Sequence, residues 1–152
     1  MSTRAIAHLQ QKKMPFEVVK YDHEEKGAAF AAKAVGFPLE ATVKTLVVDL
    51  GRKDHILALV PGHRQLDLKK LARVCGVKRA AMADTATAER LTGYLVGGIS
   101  PFGTKQRLSA VMEKSLLACE RVLINAGRRG TMLEMAPADV ADVLKAQVAA
   151  IV

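Results

Sequence analysis

Tryptophan is absent from this chain, and aromatic residues make up only 4% of it. That scarcity weighs against a surface that stacks many successive bases. Only two cysteines are present, Cys75 and Cys119. Two thiols cannot build a multi-bridge disulfide framework or a four-thiolate zinc site. The histidines His8, His23, His55 and His63 show no metal-ligand spacing, so neither a metal nor another cofactor is expected. No serine stands in a nucleophile elbow, and Cys119 has no histidine beside it in sequence. An enzyme of this composition is expected to work without a metal or a covalent intermediate. There is no signal peptide and no long apolar run, so the reducing cytosol is the expected compartment.

What is present is a chain of 152 residues, half of them hydrophobic and a quarter charged. A disordered or collagen-like polymer is excluded. The length suits one domain over residues 1–152. Lys and Arg number 23 against 15 Asp and Glu, a net charge of +8. Such an excess points to a polyanionic partner and is silent on fold.

Local patterns then divide the chain. Ser2 or Thr3 can cap a first helix carrying Ile6 and Leu9, which Pro15 closes. Phe16 to Tyr21 is β-prone, and Asp22 to Lys26 is a charged turn. Gly27 to Val35 reads as a short helix stopped by Gly36. Val43 to Leu50 is a strand with apolar residues on both faces, as in a strand covered on both sides. Gly51 to Asp54 turns it back into a second strand, His55 to Val60, ended by Pro61-Gly62. Asp67 caps a helix whose Leu68, Leu71, Ala72 and Cys75 form one apolar stripe. A short β-prone piece, Arg79 to Met82, precedes a helix from Asp84 to Leu91. Strand propensity from Tyr94 runs into a Gly- and Pro-containing loop ending at Gly103. Further strands are expected at Arg107–Met112, Arg121–Asn125 and Thr131–Met135. Pro137 opens a last helix, whose predicted buried stripe is Val140, Val143, Leu144, Val148 and Ile151. The implied fold class is α+β, a mixed sheet with helices packed around it.

Three places could carry chemistry. Lys44 shares a strand face with Leu46, Val48 and Leu50. A cation against an apolar layer is costly unless it has a partner or borders a pocket. The alternative is a strand-end lysine whose stem snorkels to water. The loop Gly97-Gly98-Ile99-Ser100-Pro101-Phe102-Gly103 can bring backbone amides close to a phosphate or an oxyanion. It lacks the Lys-Ser/Thr ending of a P-loop, and it can equally be an ordinary bent connection. Asn125-Ala126-Gly127-Arg128-Arg129-Gly130 is a turn with two arginines, which can grip a phosphate backbone or form a solvated basic turn. Lys69, Lys70 and Arg73, on the polar side of their helix, add to the case for RNA.

These segments, taken in order, resemble a family. Thr92-Gly93-Tyr94-Leu95-Val96-Gly97-Gly98-Ile99-Ser100-Pro101-Phe102-Gly103 is similar to the signature of YbaK/EbsC-type free-standing aminoacyl-tRNA deacylases, relatives of the editing domain of bacterial prolyl-tRNA synthetases. Val43-Lys44-Thr45-Leu46 resembles their lysine-bearing strand. Gln65-Leu66-Asp67-Leu68-Lys69-Lys70-Leu71 and Met82-Ala83-Asp84 match in order and spacing. The resemblance covers nearly the whole chain and implies a mixed, partly closed sheet surrounded by helices.

It also implies hydrolysis of the ester between a wrong amino acid and its tRNA, with Cys on the proline tRNA as the expected substrate. Cys and Pro are close in size, and a pocket rejects a near-isostere poorly, so a second site must edit. Lys44 would hold the ribose–phosphate end or the ester carbonyl, with Thr45 following it. Gly97 would place its amide at the scissile ester. Tyr21 and Phe30 match aromatic walls of the amino-acid pocket. Gly98, Ser100, Pro101, Gly103, Asn125 and Gly127 fall in the two loops expected to bind substrate. Lys69, Lys70, Arg73, Arg128 and Arg129 are the expected RNA contacts. Substrate groups would do much of the chemistry, through a tRNA hydroxyl orienting water or a cysteine thiol attacking its own ester. The expected partners are misacylated tRNA and prolyl-tRNA synthetase, with neither DNA nor a membrane. The chain departs from the family at Asn125, where Ser is usual, and at Met132, where close relatives carry Asp. A shifted preference, toward Ala for example, therefore stays open, as does a non-catalytic module that binds tRNA ends or a synthetase.

Overall fold

The computed structural model describes residues 3–24 and 27–152. The first helix, α1 (Arg4–Gln11), starts where the Thr3 hydroxyl accepts the Ile6 N–H at 3.1 Å. That hydroxyl also donates to the Ala126 carbonyl at 2.6 Å. The cap therefore fixes the helix end and ties it to a distant strand. The strand β1 (Glu17–Lys20) is shorter than the sequence suggested. Part of the expected charged turn, Glu25 and Lys26, lies outside the described residues. Then comes α2 (Ala28–Val35), closed by Gly36 in the left-handed region at φ 76°.

The hairpin β2 (Val43–Gly51) and β3 (Asp54–Pro61) is the centre of the molecule. Its alternation sends Val43 and Val47 into one core, with Ile6 and Leu9 of α1. Val48, Ile56, Ala58 and Val60 enter a second core, with Leu71 of α3 (Leu68–Val74). The two-sided apolar pattern of β2 is thus a strand between two layers. As expected, Asp67 caps α3 by accepting the Lys69 and Lys70 amides. The short β4 (Ala81–Met82) pairs with β2 only at Val48 and Asp49. Asp84 caps α4 (Thr85–Thr92) through the Thr87 N–H at 2.7 Å.

In the second half, β5 (Ser109–Glu113) runs parallel to β3. The hairpin β6 (Val122–Arg128) and β7 (Thr131–Met135) pairs with β1. The helix α5 (Pro137–Leu144) leads to β8 (Gln147–Ala149), parallel to β5. The result is a five-stranded mixed sheet, β4-β2-β3-β5-β8, and a three-stranded sheet, β1-β7-β6. A bridge between Thr42 and Leu123 joins them, so the expected mixed, partly closed sheet is present. Among the described residues no helix is long and apolar enough to cross a membrane.

Two expected elements differ in kind rather than only in their bounds. Tyr94 to Phe102 forms no strand. The buried Tyr94 hydroxyl donates to the Phe102 carbonyl at 2.5 Å, and Gly97 adopts φ 95°. Tyr94 and Phe102 are therefore buried from a folded loop rather than from a ladder. The last helix stops at Leu144 because Lys145 turns left-handed at φ 50°. Val148 consequently joins a strand and is 40% exposed, while Ile151 is fully buried from the tail beyond it.

Glu113, almost fully buried, holds that tail. One carboxylate oxygen accepts the Ile151 N–H at 2.8 Å and the other accepts the Ser115 N–H at 2.7 Å. Burial pushes its carboxyl up, but hydrogen bonds from Ser115, Ile151 and Val152 outweigh this and hold it below the usual range. Glu113→Ala is expected to cost roughly 2–3 kcal/mol in urea unfolding, because it strands the buried Ile151 amide and the partly buried Ser115 one. This stabilisation is present above the carboxylate's unfolded value and disappears as pH falls through its lowered folded value. A loss under about 0.5 kcal/mol, the range of an ordinary surface substitution, would contradict the anchoring role.

Candidate active site

The site begins with a missing partner. Since β4 covers β2 only from Val48 onward, among the described residues no strand pairs with that edge of β2 near Lys44 to Leu46. The gap is a cavity of about 340 Å³, walled by β2, α2, the start of α4, the Gly97 loop and the second hairpin. Small and apolar side chains make most of its surface, among them Ala31, Val47, Ala88, Ile99 and Met132.

Lys44 and Thr45 both line this cavity. The Lys44 ammonium donates to the Arg64 carbonyl at 2.5 Å. Among the described residues no carboxylate lies within ion-pair range of it. Burial holds its pKa below the ordinary lysine value. Thr45 carries a buried hydroxyl with no hydrogen-bond partner among the described residues. Leaving such a group unpaired costs about 1–3 kcal/mol. A lysine with no carboxylate partner among the described residues, lining a mostly apolar cavity, suits a site for a polar ligand.

Gly97 lines the same cavity, and the second hairpin fixes its conformation. Arg129 donates from Nε and Nη2 to the Val96 carbonyl, at 3.3 and 2.9 Å. Asn125 donates from Nδ2 to the Gly97 carbonyl at 3.2 Å and accepts the Gly127 N–H at 2.9 Å. From the other side, Glu89 accepts the Val96 N–H at 2.7 Å. In a trans peptide the N–H points opposite the C=O. With the Val96 carbonyl turned to Arg129, the Gly97 N–H faces away from that arginine, and no described residue accepts it. Close packing explains both glycines. A Cβ on Gly97 would collide with the Arg129 side chain, and one on Gly98 would lie 2.9 Å from the Arg129 backbone nitrogen.

The remaining predicted residues separate into groups. Tyr21 and Asn125 line the cavity. Phe30 does not line it but backs Tyr21, with ring centroids 6.2 Å apart. Ser100, Pro101 and Gly103 lie further along the loop, outside the cavity lining. The Ser100 hydroxyl accepts the Phe102 N–H at 3.3 Å, and Gly103 packs on the Arg4 carbonyl. Gly98 and Gly127 are close-packing positions, Gly127 against the Tyr94 ring. Lys69, Lys70 and Arg73 project from α3, on the face of the five-stranded sheet opposite β6 and β7. Lys70 donates to the Val152 carbonyl at 2.7 Å. Arg128 and Arg129 border a second, more open concavity. Burial pushes both the Cys75 and the Cys119 thiols up, opposite to the shift a nucleophile needs.

Sequence reasoning did not assign Ala31, Met82 or Ala83 to the cavity wall. Alanine and methionine at helix or strand positions carry no chemical signal. It also missed Glu89, whose acceptor role depends on a loop seven residues onward.

The aminoacyl-tRNA editing domain model matches residues 23–143. The Enterococcus faecalis protein EbsC, provisionally named a Cys-tRNA(Pro)/Cys-tRNA(Cys) deacylase, is 30% identical over 98% of this chain and 92% of its own. The Escherichia coli multifunctional Ser/Thr-tRNA deacylase ProXp-y is 34% identical over 82% of this chain and 76% of its own. A crystal structure provisionally described as a trans-editing enzyme for prolyl tRNA synthetase superposes with a TM-score of 0.89. It is 30% identical and covers 97% of this chain and 94% of its own.

Proposed function

Because the chain belongs to the aminoacyl-tRNA editing domain family, we propose that it is a deacylase that hydrolyses misacylated tRNA in trans, with Cys on the proline tRNA as its preferred substrate. The observation that carries this reading is one small cavity lined by Lys44, Thr45 and Gly97 together. The Lys44 ammonium attracts the terminal ribose–phosphate or the ester carbonyl. The Gly97 N–H meets the oxyanion that develops when the carbonyl is attacked. Water, oriented by a tRNA hydroxyl, adds to the carbonyl carbon. The bond to the ribose oxygen then breaks, and that oxygen leaves with a proton. With cysteine as the amino acid, its own thiol can attack in place of water. Neither route draws on the raised thiols of Cys75 and Cys119.

The cavity also bears on which ester is cleaved. Its two named relatives act, by their names, on Cys and on Ser/Thr esters. Those side chains are small and carry one polar atom. A pocket of about 340 Å³ with mostly apolar walls suits that class. Asn125 uses its side-chain amide to brace the Gly97 loop, so its departure from Ser does not by itself enlarge the pocket. Prolyl-tRNA synthetase, acting with this chain in the cytoplasm, is the partner that would supply the mischarged tRNA.

The test is deacylation of the proline tRNA charged in turn with Cys, Ser, Ala and Pro. The expected order places Cys first and Pro at the uncatalysed rate. Faster loss of Ala would keep the reaction and replace the substrate. Loss of none of the four would overturn the reading.

A further inference from the structure

Beside the cavity lies a second concavity of about 560 Å³, more open to solvent. One bank is Lys20 to His23, at the end of β1, and the other is Arg128 to Thr131, the turn between β6 and β7. Strand pairing brings the banks together. Lys20 stands opposite Thr131, and the Tyr21 N–H donates to the Gly130 carbonyl at 3.0 Å. The approach at the floor is close enough that a Cβ on Gly130 would lie 3.0 Å from the Tyr21 carbonyl oxygen.

Basic side chains predominate. Lys20, Arg128 and Arg129 line the groove, and Asp22 is the single carboxylate among the lining residues. Arg129 spends Nε and Nη2 on the Val96 carbonyl. Its guanidinium has five N–H donors, so this anchorage does not exhaust it. Tyr21 lines both the cavity and the groove. A strand whose last nucleotide enters the cavity can therefore continue over the Tyr21 ring and along the groove. The other basic group, on α3, is separated from this route by the five-stranded sheet.

We propose that this groove carries the phosphodiester backbone of the single-stranded 3′ end of the substrate RNA, with Lys20 and Arg128 contacting phosphates and Tyr21 marking the passage from backbone to ester. The basic residues of α3 then contribute nothing to that contact. The inference rests on the deacylase reading for its ligand, yet its test needs no ester cleavage. Single-stranded binding weakens with log salt at a slope of about 0.7 per phosphate contact.

The experiment measures binding of an uncharged single-stranded RNA ending in the tRNA acceptor sequence, by fluorescence anisotropy, across a salt series. The proteins compared are wild type, Lys20→Gln, the double variant Lys20→Gln/Arg128→Gln, and the double variant Lys69→Gln/Arg73→Gln. All four altered positions are exposed, and thermal unfolding checks that each variant folds. The groove double variant is expected to flatten the slope by about 1.4, Lys20→Gln alone by about half of that, and the α3 double variant not at all. An unchanged slope in the groove variants, or flattening by the α3 variant alone, would overturn the groove. If the groove variants flatten the slope while wild type cleaves no charged tRNA, the groove stands and the deacylase reading falls.

Discussion

Replacing Lys44 with alanine is expected to slow deacylation by about 10²–10³-fold, the usual loss when one preorganised charge or donor is removed from a reacting carbonyl. The fold is expected to survive, because among the described residues the Lys44 ammonium bonds the Arg64 carbonyl and has no carboxylate within ion-pair range. Stability should move the other way. Burial lowers the Lys44 pKa, so the folded state disfavours its charged form. Lys44→Met keeps the packing of the stem and removes that penalty, so at neutral pH its melting temperature should equal or exceed that of wild type. The sign of the pH dependence follows from linkage. Between the lowered folded value and the ordinary lysine value of 10.5, the unfolded chain binds more protons than the folded one. Wild type therefore gains stability relative to Lys44→Met as pH rises through that window. Activity falls over the same rise, as the ammonium is lost. Near-wild-type turnover by Lys44→Ala would remove this residue from the mechanism. A melting temperature well below wild type for Lys44→Met would show that its cost had been misjudged.

The second large effect is expected at Gly98, which touches no substrate in this account. An alanine Cβ there would lie 2.9 Å from the Arg129 nitrogen and 3.1 Å from both the Cα and carbonyl carbon of Arg128. These are backbone atoms in a hairpin and cannot swing aside, so the loop must lift. Lifting it stretches the bonds from Arg129 to Val96 and from Asn125 to Gly97, which set the direction of the Gly97 N–H. A displacement near 1 Å at a reacting group costs about 10²-fold, and overpacking costs about 1–3 kcal/mol. Gly98→Ala is therefore expected to lose about 10² in kcat with a smaller change in KM. Leu95→Ala, at a 73% exposed position in the same loop, should be close to neutral. An unchanged kcat in Gly98→Ala would show that the hairpin does not set the Gly97 amide.

The sequence made much of this legible because local and global signals agree over the elements up to α4. The apolar stripe of α3 and the caps at Asp67 and Asp84 survive into the structure unchanged. The two-sided pattern of β2 does too, because two cores really do flank it. Signals failed where tertiary contacts overrode propensity. Tyr94 to Val96 has the composition of a strand, yet the Tyr94 hydroxyl finds its acceptor at Phe102 and the chain folds back. Val148 and Ile151 continue the stripe of α5 only by coincidence of spacing, since Lys145 ends that helix. At the site, Lys44 could be singled out because a cation on an apolar strand is anomalous. Asn125 and Arg129 could be placed in the right loop, but not as braces of another loop 28 and 33 residues away in sequence. Such contacts have no period and no motif.

The most direct test of the account is turnover. Proline tRNA charged with Cys would be incubated with protein at one-hundredth of its concentration, and ester loss followed against a protein-free control. The account predicts many esters broken per protein molecule, with the Pro-charged tRNA intact under the same conditions. Tight binding of the charged tRNA with ester loss no faster than in buffer would contradict it, leaving a module that holds tRNA without editing it.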